Sequence, residues 1–342
     1  MNPAISLLWL APALWIGVGI AAVITAGVRR YALRHQLMDI PNRRSSHVAP
    51  TPRGGGLAIV LVVLIGLPLL TLAGWLPVGA LVGLAGAGAL VAAAGWLDDR
   101  RGVPPAWRLL VHGLAAVWGL AWLGGLPPIP RPGGPQDLGL AGDALALLYL
   151  VWMLNLFNFM DGINGLAGVE ALTVAGGLAL LALGLGSDPA VIGVGGLMAA
   201  ATLGFLPWNF PRARIFMGDA GSGFLGLGLG LLTLQAGHAA PGLFWAGVLL
   251  AAVFWVDATL TLLVRLSRRE RLHEAHRSHA YQHFAQRYGH TRVTLAVLAI
   301  NLGGLGPLAL GLARETLPAL PVVAAAALVL GGLAWRGQAG RP

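Results

Sequence analysis

Thirteen carboxylates are scattered over 342 residues, and several stand where chemistry could use them. Asp98 and Asp99 are adjacent in GWLDDRRGVPP, at the end of an apolar stretch. Two neighbouring carboxylates that lose hydration at a membrane boundary repel each other and call for a cation, be it Arg100, Arg101, a lipid amine or a metal. Downstream, NLFNFMDGINGLAG sets Asn155, Asn158 and Asp161 at three-residue steps, so a helix would carry them on one slowly drifting face. Asn164 follows within DGxxG, whose Gly162 and Gly165 allow a turn. Such polar groups either bond helices together or line a ligand site. Asp219, in FMGDAGSGFLG, opens a further apolar run. The N-terminal amides of that helix could hold phosphate oxygens, with Asp219 as a Mg²⁺ ligand beside them. Gly221, Gly223 and Gly226 repeat the GxGxxG spacing of dinucleotide sites, but no strand precedes them and a membrane-length run follows, so the match is a false positive.

Basic loops complete the set. In HEAHRSHAYQH, a helical loop would place His273, His276, His279 and His283 on about a third of its circumference. Zinc is one reading of that spacing. The arginines interleaved through 265–277, Arg277 among them, repel a cation but suit a diphosphate, and the plainest alternative is a solvated loop against anionic lipid. PNRRSSHVAPTPRGGG combines Arg43, Arg44, His47, Thr51 and Arg53 with glycines centred on Gly55, either to bring backbone close to an anion or as a positive clamp with a hinge. Asp257 lies about two turns inside another apolar run, where a salt bridge to a neighbouring helix is the first expectation and substrate binding the second.

The elements that must position these residues are membrane helices. With 57% hydrophobic and 10% charged residues, the chain is far more apolar than a water-soluble domain, in which roughly a quarter are charged. The 51 glycines and 22 prolines suit closely packed or broken membrane helices. Eleven spans are expected, near 5–28, 57–74, 77–97, 107–124, 143–159, 166–186, 189–206, 221–236, 242–264, 293–312 and 317–335, in an all-α polytopic fold forming one domain over 1–342. Alternating the connections puts 20 of the 22 arginines on one side and leaves Arg131 and Arg314 on the other. The positive-inside rule then sets the N-terminus outside and the C-terminus in the cytosol, with cytosolic connections 29–56, 98–106, 159–165, 207–220 and 265–292. All basic residues are Arg, and topology explains the net charge of +9 without nucleic acid. The absence of Cys excludes disulfides, thiolate metal sites and cysteine nucleophiles. The first 28 residues lack a basic n-region and a cleavage pattern, and read as a retained helix.

In their order over about residues 39–292, these motifs resemble the polyprenyl-phosphate N-acetylhexosamine-1-phosphate transferases, the membrane family that includes phospho-N-acetylmuramoyl-pentapeptide transferase. The resemblance implies transfer of a sugar 1-phosphate from a UDP-N-acetylhexosamine to undecaprenyl or another polyprenyl phosphate at the cytosolic face of a bacterial inner membrane, with release of UMP. It implies Mg²⁺, or Mn²⁺ in its place, on Asp219 and Asn158. Asp98 and Asp99 would lie beside the lipid phosphate and the metal, Asn158 and Asp161 would line the nucleotide and metal site, and His276 and His279 would contact the diphosphate or sugar. Asn155, Asn164, Thr51, Arg53, Gly55 and Arg277 complete the expected substrate contacts, and a homodimer is compatible with such a protein. The HRxHxYQ form of the last loop and RSSHxxPTPRGGG in the first look more like the branch that starts O-antigen or other surface glycans than like the peptidoglycan enzymes. A lipid phosphate with a second pKa near 6 hardly needs a base. Asp98 and Asp99 are therefore expected to position phosphate and metal more than to abstract a proton. A transporter would instead want polar groups at mid-membrane and at both mouths.

Overall fold

Backbone in lipid has no water to bond to, so apolar runs close their own hydrogen bonds as helices. The computed structural model describes residues 3–41, 46, 49–129, 134, 136–270 and 276–341. Helix α1 (Pro3–Arg34) leads into a short antiparallel pair, β1 (Met38–Asp39) and β2 (Thr51–Pro52). Then come α2 (Leu57–Leu72), α3 (Val78–Arg101), α4 (Pro105–Leu123), α5 (Gly139–Met160), α6 (Leu166–Gly184), α7 (Pro189–Asn209) and α8 (Asp219–Ala239). The remainder is α9 (Pro241–Leu250), α10 (Ala252–Ser267), α11 (Ala280–Tyr288), α12 (His290–Ala299), a π-helical turn (Ile300–Leu305), α13 (Gly306–Ala313) and α14 (Ala319–Arg336).

The chain is an all-α polytopic membrane protein in which, among the described residues, nine helices are long and apolar enough to cross a bilayer. Two of the eleven expected spans differ. The segment 242–264 is broken at Ala251, where α9 and α10 meet at 61°. At the break the Phe254 amide bonds the Ala251 carbonyl at 3.1 Å, and the buried Glu170 carboxylate of α6 lies close by. Asn301 in the π-helical turn donates to Glu170 Oε2 at 2.7 Å and to Thr173 Oγ1 at 2.8 Å. The segment 57–74 forms only the 16-residue α2, short of the roughly 20 residues that a full crossing needs.

Helix α8 is the axis of the bundle and is almost wholly buried among α3, α5, α2, α6 and α9. Its glycines make that possible, since a Cβ on Gly226 would stand 2.5 Å from the Met153 carbonyl of α5. Phe157, Phe205 and Phe254 fill the core around it.

Candidate functional site

The close crossing of α3 and α8 builds the centre of the site. A Cβ on Gly95 would lie 2.5 Å from the backbone of Asp219 and Ala220, so only glycine lets the two helices meet there. One turn beyond Gly95, Asp99 therefore lands on the N-terminus of α8. Its Oδ1 accepts from the Asp219 amide at 3.2 Å and its Oδ2 from the Ala220 amide at 3.5 Å. This corrects the sequence expectation for α8: its first amides hold not a phosphate but the Asp99 carboxylate, an anion that satisfies the same donors and the same dipole end. Gly218, at φ +81°, leaves the room, because a Cβ there would meet Asp99 Oδ2 at 2.6 Å.

Among the described residues, the arginines that meet the Asp pair are Arg53 and Arg108, and Arg100 is not one of them. Arg100 lies over the Trp96 ring, 4.4 Å from its centroid, and bonds the Tyr31 hydroxyl. Arg53 instead donates to the Asp99 carbonyl and stands 3.8 Å from Asp99 Oδ1. Arg108 donates to Asp98 Oδ2 at 2.5 Å and lies 3.5 Å from Asp219 Oδ2. Asp98 Oδ1 accepts the Val103 amide at 2.6 Å, so both oxygens of Asp98 are engaged. Arg108 was not singled out in the sequence. The signal for it is the three-residue link between α3 and α4, which folds the first turn of α4 back onto the end of α3.

On the other flank, Asn158 donates to Ser222 Oγ at 3.3 Å and bonds the Asp219 side chain. Asp161, just past the end of α5, is pushed well above the usual carboxylate range by burial, with the Asp219 and Asp99 carboxylates adding to the effect. Asp98, Asp99, Asp161, Asp219, Asn158, Arg53 and Arg108 thus converge. Three expected contacts are engaged elsewhere: Asn155 donates to Val151 of its own helix at 2.7 Å, Asn164 to Pro211 at 3.1 Å, and Thr51 to Ala49 at 3.0 Å. Gly55 faces protein, a Cβ there meeting Phe205 at 2.8 Å, while the Gly55 amide bonds Phe216 at 2.9 Å.

The histidine loop is not a helix through its length. His276 and His279 precede α11, and only His283 lies on it, while His273, like Arg43, Arg44 and His47 of the first loop, is outside the described residues. The rings of His276 and His279 stack at 4.9 Å, and Phe159 from the end of α5 stacks on His279 at 6.2 Å. Burial, with His279 and the Arg265 guanidinium nearby, pushes His276 down to about 3, so its ring is neutral at physiological pH. The Tyr281 hydroxyl, raised well above its usual value by burial, donates to the Phe159 carbonyl at 2.9 Å and ties the loop to α5. Arg277 Nε is buried and has no hydrogen-bond partner. Among the described residues Asp257 pairs with no arginine; it faces His279, 3.5 Å away, and the start of α11.

Among the described residues, no three His, Cys, Asp or Glu side chains are gathered closely enough to hold a metal ion by themselves. The donors at the centre are nonetheless all hard oxygens, a set that suits a divalent cation completing its shell with phosphate and water.

The sequence profile described as "Glycosyl transferase family 4" matches residues 81–237. The decaprenyl-phosphate N-acetylglucosaminephosphotransferase of Mycolicibacterium smegmatis is 35% identical over 73% of this chain and 70% of its own. The probable undecaprenyl-phosphate N-acetylglucosaminyl 1-phosphate transferase of Bacillus subtilis is 28% identical over 82% of this chain and 78% of its own. A phospho-N-acetylmuramoyl-pentapeptide-transferase of Synechococcus is 33% identical over 71% of this chain and 72% of its own.

Proposed function

Since the chain belongs to glycosyl transferase family 4, the polyprenyl-phosphate hexosamine-1-phosphate transferases, we propose that it moves an N-acetylhexosamine 1-phosphate from a UDP-sugar to polyprenyl phosphate. In this reading an oxygen of the lipid phosphate attacks the β-phosphorus, the bond to the bridging oxygen breaks, and UMP leaves. The product is a polyprenyl-diphosphate sugar that starts a surface or cell-wall polysaccharide on the cytosolic side of a bacterial inner membrane. The single observation that carries the proposal is the convergence of Asp98, Asp99 and Asp219 with Arg53 and Arg108 at the helix ends.

Two anionic substrates repel each other, and the chain supplies compensation on both flanks. Arg108 and Arg53 lie beside the carboxylates, and the unpartnered Nε of Arg277 is a donor suited to a diphosphate oxygen. Asp98 is bound through both oxygens, which favours holding and orienting over proton abstraction. Asp219 and Asn158 would hold Mg²⁺, which would supply charge neutralisation at the phosphoryl group being transferred. His276 and His279 would line the sugar side. The isoprenoid needs apolar surface, and a cleft of about 440 Å³ beside α11, lined by Val253, Tyr281, Phe284, Val297, Ile300 and Leu330, would offer it.

The test is purified protein with polyprenyl phosphate and a panel of UDP-sugars, N-acetylglucosamine first and N-acetylmuramoyl-pentapeptide included, with lipid products identified by mass spectrometry. UMP release that depends on the lipid phosphate, and that Asp219→Asn abolishes, is the expected result. Release without the lipid, or none with any sugar, would overturn the proposal.

A further inference from the structure

Asp257 is a membrane-embedded carboxylate that the scheme above does not use. It sits on α10, is 6% exposed, and spends its oxygens on a loop more than twenty residues downstream. Oδ1 accepts the Ala280 amide at 3.0 Å and the Thr261 hydroxyl at 3.1 Å, and Oδ2 accepts the Tyr281 amide at 2.9 Å. These amides belong to the first turn of α11, so a carboxylate from another helix caps it. The same Oδ1 stands 3.5 Å from Nδ1 of His279, a buried nitrogen with no other hydrogen-bond partner.

A cap alone does not require this arrangement. His279 is already the N-cap residue of α11, with Gln282 Oε1 accepting the His279 amide at 3.2 Å and the Gln282 amide donating to the His279 carbonyl at 3.0 Å. What Asp257 adds is a fixed direction for the imidazole. Phe159 and His276 stack on the ring at 28° to it, and Asp257 stands at its edge beside Nδ1, so the ring nitrogen turned away from Asp257 is Nε2. At 3.5 Å the contact is long, as such bonds often are before a substrate tightens them.

We propose that Asp257 is a positioning residue, which selects the His279 tautomer with hydrogen on Nδ1 and aims Nε2 at the sugar diphosphate while anchoring the helix that follows. The inference rests on the assignment of His279 to the substrate side, and its test separates the two. Activity with UDP-N-acetylglucosamine and polyprenyl phosphate is compared in the parent, Asp257→Asn, His279→Gln and the double variant, with Gln282→Ala as a change that weakens the cap but spares the Asp257–His279 contact.

Asp257→Asn should lower kcat by about ten- to a hundredfold, the usual effect of losing a group that orients a functional histidine. In the His279→Gln background it should cost no more than about twofold further, because the two act as a unit. Gln282→Ala should multiply with His279→Gln. A full, independent loss from Asp257→Asn when His279 is already gone would reduce Asp257 to a cap and overturn the proposal, leaving the role of His279 intact. Full activity of His279→Gln would remove that role and the proposal with it. If Asp257→Asn does not survive purification, Thr261→Val serves instead: a two- to threefold loss that vanishes in His279→Gln supports the proposal, and an equal loss in both backgrounds refutes it.

Discussion

At the scale of single residues, the site is organised by what neutralises its carboxylates. Arg108 touches both Asp98 and Asp219, and removing it leaves two close negative charges without their shared partner. A hydrogen bond to a charged group contributes about 1.5–3 kcal/mol, so Arg108→Gln should lower turnover by about ten- to a hundredfold, with Arg108→Lys recovering part of it. Steady-state assays of UMP release check this, and a fall of less than twofold would show that the pairing carries no function. His276 offers a second measurement. Its folded-state value of about 3 lies below the 6.5 of the free side chain, so the folded protein binds fewer protons between them. The stability due to the neutral ring is complete above pH 6.5 and is lost as pH falls toward 3. Unfolding midpoints in detergent should therefore drop between pH 7 and pH 4.5, and His276→Gln should flatten part of that drop. Parallel curves for parent and variant would count against the assignment.

At the scale of elements, glycine decides how helices approach. Gly95 was passed over among 51 glycines, since nothing local marks it, yet the Asp99 cap on α8 depends on it. Gly95→Ala pushes a methyl group into the backbone of Asp219 and Ala220 and should cost about 1–3 kcal/mol of stability, with activity falling more steeply than expression because the site itself is displaced. Thermal unfolding and turnover on the same preparation test both parts, and unchanged turnover would contradict the packing argument. The break between α9 and α10 is likewise invisible locally: hydropathy reads 242–264 as one span, because Ala251 carries no mark of a bend.

At the scale of the molecule, the two ends of the bundle differ in kind. The carboxylates, Arg53, Arg108 and the histidine loop gather at one end, whereas the other holds connections such as that between Gly125 and His238, 3.2 Å apart. The chain has no cysteine, so single cysteines can report orientation without background. Arg212→Cys should react with a membrane-impermeant maleimide only after permeabilisation, and Thr316→Cys in intact cells; the reverse pattern would place the carboxylates outside. Composition and apolar length sufficed for an all-α membrane protein, because both are properties of the chain read in order. The Asp98-Asp99, DGxxG and Asp219 motifs were legible for the same reason, each being short and contiguous. What only the tertiary structure decided is which group faces which: Asp99 rather than a phosphate on α8, Arg108 rather than Arg100 on Asp98, and Asp257 on His279. Those pairings join residues up to 120 positions apart through helix crossings a few ångströms wide, and such distances are set by packing that no local pattern encodes.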